Sequence, residues 1–304
     1  MKVFIYTPLR NNRIAMRFGL GSYIRTMKKA LEYVGIDYID GTGDFKLSDL
    51  KDIDIVHIHD PVYRFSFRIL QEKFRIPSSA SIVSHIHSPV LPPDLDYIEK
   101  YSDEVIYVSK TQMKFFGGSG VVIYNAVLPE PKVEWNSRPI SFIMNARIDW
   151  AKGYDWFYKQ TTLLPSFKFA TTGELKVDFV LDKLRYRPNN VTDYGFVPRD
   201  ELLRLWAKSE IHVLPSYFET FGLVTLEAML QGCAPAVSVH SGVSEILPDN
   251  LSIKFDPYSH DIGYVYDQYL RKRLFKRRER FREFALKHDY RRLGSDLLRL
   301  YENL

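Results

Sequence analysis

The chain has 304 residues, 45% hydrophobic and 26% charged, with 16 Gly and 16 Pro. That composition fits a folded globular protein of one large or two medium domains and excludes a disordered tail, a collagen or a coiled coil. Net charge is +5, but eleven Lys/Arg against three Asp/Glu fall between Leu270 and Arg292, so a mildly acidic body carries a strongly basic tail, unlike a nucleic-acid protein that is positive all over.

A single Cys excludes an internal disulfide and a Cys-based zinc site. No stretch approaches the ~20 apolar residues of a membrane span, and the first apolar run is too short for a secretory signal. A cytoplasmic location is expected. In chain order, the first half offers strands "VFIYTP" (3–8), "DIVHIHD" (54–60), "ASIVSHIHS" (80–88), "EVIYVS" (104–109) and "GVVIYNA" (120–126). Helices are predicted near Leu20–Val34, Phe65–Phe74, Asp94–Tyr101 and Lys110–Phe116. The second half repeats the rhythm with strands "ISFIMNARI" (140–148), "FKFATTG" (167–173), "NVTDYGF" (190–196), "IHVLPS" (211–216), "APAVSV" (234–239) and "LSIKF" (251–255). Its helices are predicted near Gly153–Leu164, Val177–Leu184, Arg199–Ser209 and Gly222–Leu230. Near-continuous apolar strands alternating with helices predict α/β architecture with parallel sheets covered on both faces. The proline-rich stretch 128–139 suggests a linker between two Rossmann-like, doubly wound domains, 1–133 and 134–257. A helical, basic segment, 258–304, is expected to pack back across both.

The sharpest motif is "PSYFETFGLVTLEAMLQG" (215–232). A strand ends at a loop and Gly222 opens a helix, whose first amides (Phe221, Gly222, Leu223) would point at a phosphate. Glu219 precedes the helix and Glu227 lies inside it. On pattern alone Glu219 is equally a residue that complements the helix dipole, worth ~0.3–1 kcal/mol, Glu227 a packed or solvated residue, and Arg147 and Lys152 a solvated loop.

This segment resembles the E-x7-E motif of the retaining nucleotide-sugar glycosyltransferases of GT-B fold, family four. "NARIDWAKGYDWF" (145–157) is similar to that family's G-R-L…K-G segment, "YGFVPRDELLRLWAKSEIHVLPS" to its G-F-V-P run, and "GVSEIL" (242–247) to its G-G-V-P-E-I-L turn. In the first half "GLGSYIRTMKKALEYVGID" (19–37) resembles the family's G-x-G-x-Y helix. "DIVHIHDP", "IVSHIHSP", "VIYVS" and "VIYNAV" follow in the family's order. Ala146, Ala126, Ser241-Gly242 and "TTGE" (171–174) depart from it without removing a charged or hydroxyl-binding group.

The resemblance implies a metal-independent glycosyltransferase that moves a sugar from a nucleoside diphosphate to an acceptor with retention. It implies that Arg147 and Lys152 neutralise the leaving diphosphate in place of a metal ion, a task suited to a bidentate guanidinium and a point charge. Glu219 would contact the transferred sugar, Glu227 the ribose, and the backbone at Phe196–Val197 the base. Gly19 and Gly21 would let a loop approach the diphosphate; they lie too far from the first strand for a dinucleotide fingerprint, which disfavours a dehydrogenase. His87 matches the family's active-site His, and His59 and Asp60, at a strand end, could touch the acceptor.

His57/His59 and His85/His87 each share a strand face, so adjacent strands would cluster four imidazoles; buried neutral histidines are preferred over a metal site. Cys233 reads as a small buried residue. The tail 271–292 reads as an amphipathic basic helix. A solvated face, an anionic membrane surface and, less favoured, nucleic acid are its three readings. Two further functions stay open: a catalytically silent sugar-nucleotide-binding protein of the same fold, and a basic nucleic-acid-binding protein. The donor base, the sugar and the acceptor (lipid-linked, glycan or protein) are not spelled by the sequence.

Overall fold

The computed structural model describes residues 1–9, 19–42, 45–61, 76–88, 92–134, 137–147, 150–173 and 188–304. The helices expected near 65–74 and 177–184 lie outside the described residues. The chain divides into two compact units, Met1–Leu128 with His288–Leu304, and Pro129–Lys287.

The first unit is a six-stranded parallel sheet in the order β2-β1-β3-β4-β5-β6. Its strands are β1 (Lys2–Tyr6), β2 (Asp37–Asp40), β3 (Ile55–His59), β4 (Ser81–Ile86), β5 (Glu104–Tyr107) and β6 (Val121–Val122). The interior strands bury side chains of both faces, which is why they read as unbroken apolar runs. β2 was not anticipated: it is a half-exposed edge whose "DYID" lacks such a run. β6 shrinks to two residues, as the chain leaves the sheet after pairing Val121 with Ile106 and Val122 with Tyr107.

Three helices of this half are α1 (Gly19–Tyr33), α2 (Pro92–Tyr101) and α3 (Lys110–Phe116). α3 starts where Ser109 accepts a hydrogen bond from the Gln112 amide and stops at Gly117, whose φ of 70° ends the helix. One sheet face and α1 bury Val3, Ile5, Tyr23, Met27 and Leu31 together with Leu293, Leu297 and Tyr301 from the end of the chain.

The second unit has another six-stranded parallel sheet, ordered β12-β11-β10-β7-β8-β9. Its strands are β7 (Ile140–Asn145), β8 (Phe169–Thr172), β9 (Val191–Asp193), β10 (Ser209–Leu214), β11 (Ala234–Ser238) and β12 (Ile253–Phe255). Helices α4 (Tyr154–Thr161), α5 (Arg199–Ala207) and α6 (Leu223–Leu230) connect them. The chain runs outward from β7 to β9 and then returns to β10 on β7's other side. The loops leaving β7 and β10 are therefore neighbours at the point where strand order reverses, the usual ligand crevice of an open α/β sheet.

The linker and tail differ from expectation. Residues 129–133 go with the second unit because Gln231 ties them down, accepting from the Val133 amide at 2.9 Å and donating to the Pro131 carbonyl at 2.9 Å. The basic stretch 271–292 is not one amphipathic helix. α7 (Ile262–Arg271) ends before Arg273, which sits at φ 51°. A short 3-10 turn, Leu274–Lys276, and α8 (Arg278–Leu286) follow, and Asp289 then caps α9 (Tyr290–Tyr301) by accepting from the Arg291 amide. α7 and α8 stay with the second unit and α9 joins the first. Leu274, Phe281 and Leu297 are buried, whereas Leu270 is 46% exposed.

Candidate active site

Two loops of the second unit meet at its reversal point. After β7 the chain passes Arg147, makes a short 3-10 turn (Trp150–Lys152) and enters α4 through Gly153. After β10, residues 215–222 lead into α6. The Tyr217 amide donates to the Ala151 carbonyl at 2.9 Å. Gly153 holds φ 73°, and a Cβ there would stand 2.3 Å from the Pro215 carbonyl oxygen. Only glycine permits that approach at that φ.

This crossing brings Lys152 and Glu219, 67 residues apart in sequence, into a 2.5 Å ion pair. Both side chains are mostly shielded, 18% and 14% exposed. Glu219 is further fixed through its backbone: its amide donates to the His240 carbonyl at 3.2 Å and its carbonyl accepts from Gly242 at 3.0 Å. The Val243 amide likewise holds the Phe221 carbonyl at 2.6 Å, and the Phe221 ring is buried. The 240–243 turn, the "GVSEIL" signal, thus clamps the loop ahead of α6.

Gly222 precedes α6 at φ 96° with no side-chain cap, and Leu223 begins the helix. α6 buries Thr225, Leu226, Ala228, Met229 and Leu230, and Glu219 lies in the loop just ahead of its start. Arg147 stands exposed just past β7. Phe196 is 43% exposed in the β9–α5 loop, and Val197 packs against the α5 core. Glu227, one turn into α6, pairs through Oε1 with Arg199 at 3.0 Å; the same guanidinium reaches Glu130 at 3.2 Å and lies 5.3 Å over the Trp206 ring. Sequence reasoning missed Arg199, which read only as a helix start in "PRDEL".

The other histidine and glycine assignments belong to the first unit. Gly19 opens α1 and Gly21 lies in its first turn. β3 and β4 pair in register His59↔His85, so the four imidazoles do cluster. His57 Nε2 lies 3.1 Å from His85 Nδ1, and His59 Nδ1 lies 3.1 Å from His87 Nε2. The Tyr301 hydroxyl meets His57 Nδ1 at 2.6 Å. Burial keeps His57, His59 and His85 neutral far below their ordinary range and takes His87 down to about 3.

Asp60, at φ 47°, ends β3 and takes hydrogen bonds from the His87 and Ser88 amides at 2.7 and 2.9 Å and from the Ser88 hydroxyl at 2.9 Å. Burial raises its pKa against those bonds. Through these bonds Asp60 shapes the turn that carries His87.

Most of the basic tail is spent within its own unit. Arg278 pairs with Glu210, Lys272 donates to the Asp249 and Ser252 carbonyls, Arg282 to the Leu230 and Glu130 carbonyls, and Arg292 to Asp296. Cys233 is buried and free, its thiol pushed up to about 12 by burial. Among the described residues no helix is long and apolar enough to cross a membrane.

Two units, each built on a six-stranded parallel α/β sheet, define a GT-B type of architecture. The family model "Glycosyl transferases group 1" matches residues 130–288, just over half of the chain. The chain belongs to that family. It is 26% identical over 240 residues to an uncharacterized glycosyltransferase of Methanocaldococcus jannaschii, an alignment covering 64% of this chain and 60% of that protein. The chain spans about three fifths of the length of the curated relatives it matches over most of its own sequence.

Sucrose-phosphate synthase of Thermosynechococcus elongatus has the same fold, with a TM-score of 0.74 at 13% identity over 100% of this chain and 98% of that one. So does Anabaena HepE, solved in complex with UDP and glucose: TM-score 0.70, 16% identity, 100% and 99% coverage.

Proposed function

We propose that the chain is a glycosyltransferase that takes a sugar from a nucleoside diphosphate sugar and passes it to an acceptor hydroxyl with retention at the anomeric carbon. The observation that carries this reading is the Lys152–Glu219 ion pair at the reversal point of the second sheet, beside the uncapped start of α6. A cation, a carboxylate and a helix start without a side-chain cap are what a sugar diphosphate needs at one place: charge for the phosphates, an acceptor for hydroxyls, and N–H donors for the departing oxygen.

In this reading Lys152 exchanges Glu219 for the donor's diphosphate, joined by Arg147 and the Gly222–Leu223 amides. Glu219, released, accepts hydrogen bonds from the transferred sugar. In the first unit, His87 is the residue read as a sugar contact. Glu227 and the Phe196–Val197 backbone serve the nucleoside, with Arg199 holding the Glu227 carboxylate in place. The bond from the anomeric carbon to the phosphate oxygen breaks and the bond to the acceptor oxygen forms on the same face. The acceptor's proton goes to the leaving phosphate oxygen. Two cations and oriented amides supply the charge stabilisation, and the reading includes no metal ion.

The test is a panel of UDP-, GDP-, ADP- and TDP-sugars scored by thermal shift, since bound donor stabilises by RT ln(1 + [L]/Kd). Nucleotide release and product anomeric configuration by NMR follow, with and without EDTA. Binding without any turnover, across acceptor classes, would favour the catalytically silent reading instead. The UDP and glucose bound to the Anabaena neighbour support a sugar-nucleotide ligand.

We also propose an anionic membrane surface as a docking partner for the tail. Leu270 and Phe275 are 46% and 38% exposed, Arg273, Lys276 and Arg280 nearby in the sequence are exposed too, and Lys276 lies 5.9 Å over the Phe275 ring, the pairing of apolar and cationic groups that interfacial segments use.

A further inference from the structure

The contacts within the histidine cluster bear on which nitrogen of His87 carries its proton. Met27, buried on α1, places its Sδ 3.1 Å from His59 Nε2. A thioether has no proton to give and is only a weak acceptor, so the attractive arrangement puts the proton on His59 Nε2. A neutral imidazole has one N–H, which leaves His59 Nδ1 bare. That nitrogen is 3.1 Å from His87 Nε2, so His87 must be the donor there, and its own proton sits on Nε2. Burial keeps both rings neutral, which leaves His87 Nδ1 as a lone-pair acceptor. Among the described residues no partner meets Nδ1, and His87 is half-buried at the end of its strand.

We propose that Met27 and His59 are positioning residues that lock His87 as the Nε2–H tautomer, so that His87 offers a bare Nδ1 and selects a ligand group that donates a hydrogen bond. This rests on the reading of His87 as a sugar-contacting residue. It narrows the ligand chemistry: a hydroxyl or amide N–H is accepted at that contact, whereas a carboxylate is refused. A neutral ring with its lone pair forward has nothing to give to an acceptor-only group. The Tyr23 ring, 4.4 Å from His87, and the His85 ring, stacked at 4.2 Å, hold the imidazole plane.

Long-range 1H–15N correlation on the histidine-labelled 304-residue chain reads the tautomer directly. The signal is assigned by its loss in His87→Gln or, should that variant not fold, by its proximity to the Tyr23 ring. The expected result is a single form with Nε2 protonated and Nδ1 bare, shifting to a mixture in Met27→Leu, which keeps the volume and removes the sulfur acceptor. A protonated Nδ1 in the unsubstituted protein, or an unchanged pattern in Met27→Leu, would overturn the lock. Donor turnover separates the two claims. Met27→Leu should lower kcat several-fold with the KM for donor little changed. Full activity in His87→Gln with the Nε2–H form intact in the parent would instead refute the sugar contact and leave the tautomer standing.

Discussion

Replacing Lys152 with Met keeps the stem and removes the charge at the centre of the proposed donor site. Lys152 is 18% exposed and bonded to Glu219 at 2.5 Å, so its ammonium acts in a partly desolvated place where a charge-assisted hydrogen bond is worth ~1.5–3 kcal/mol. At 1.36 kcal/mol per decade, that corresponds to a ~10- to 150-fold loss of nucleoside diphosphate affinity. The net figure should fall toward the lower end, because in the free protein Lys152 already has a carboxylate partner that binding must displace. The same competition makes Glu219→Gln informative: it frees Lys152, so diphosphate affinity should rise several-fold while sugar transfer falls. Isothermal titration with the best-bound nucleoside diphosphate and with its nucleoside provides the assay. Equal weakening of both ligands by Lys152→Met, or weaker diphosphate binding in Glu219→Gln, would refute the phosphate role.

Gly222→Ala should destabilise the chain by ~1–3 kcal/mol in urea unfolding, because φ is 96° and the new Cβ would stand 2.7 Å from Leu214 Cδ2. Asp289→Ala removes a buried cap and the carboxylate that Arg291 grips at 2.5 Å; a loss of ~1–2 kcal/mol is expected from the same measurement. The histidine cluster makes stability fall with acid. Its pKa values are depressed on folding, so below ~6.5 the unfolded chain takes up protons that the folded one refuses, up to ~1.4 kcal/mol per pH unit per histidine. That stability is fully present above 6.5 and, for His87, is lost as pH drops toward about 3. A His57→Asn variant should show a shallower slope between pH 6 and 5, and an identical slope would contradict it. For the tail, Phe275→Glu with Arg280→Glu should reduce sedimentation with phosphatidylglycerol vesicles and leave that with phosphatidylcholine vesicles unchanged; equal loss on both lipids would refute a charge-guided surface.

The alternating apolar runs were enough to read a parallel α/β architecture in both halves, because a strand buried on two faces must be apolar throughout. The edge strand β2 escaped that logic because it is polar where it meets solvent, whereas β6 was expected over 120–126 and pairs only at Val121–Val122. The site's motifs were equally legible in the loops at 145–157 and 215–222, since glycine and charge at strand ends mark ligand loops whatever the fold around them. Which charges meet was decided only in three dimensions. Lys152 faces Glu219 because the sheet reverses between β7 and β10. Glu227 is held by Arg199, and most cations of the tail close on their own unit's carbonyls and acids. Pairings of this kind depend on strand order and loop approach over tens of residues, and a linear pattern of side chains carries no distance between them.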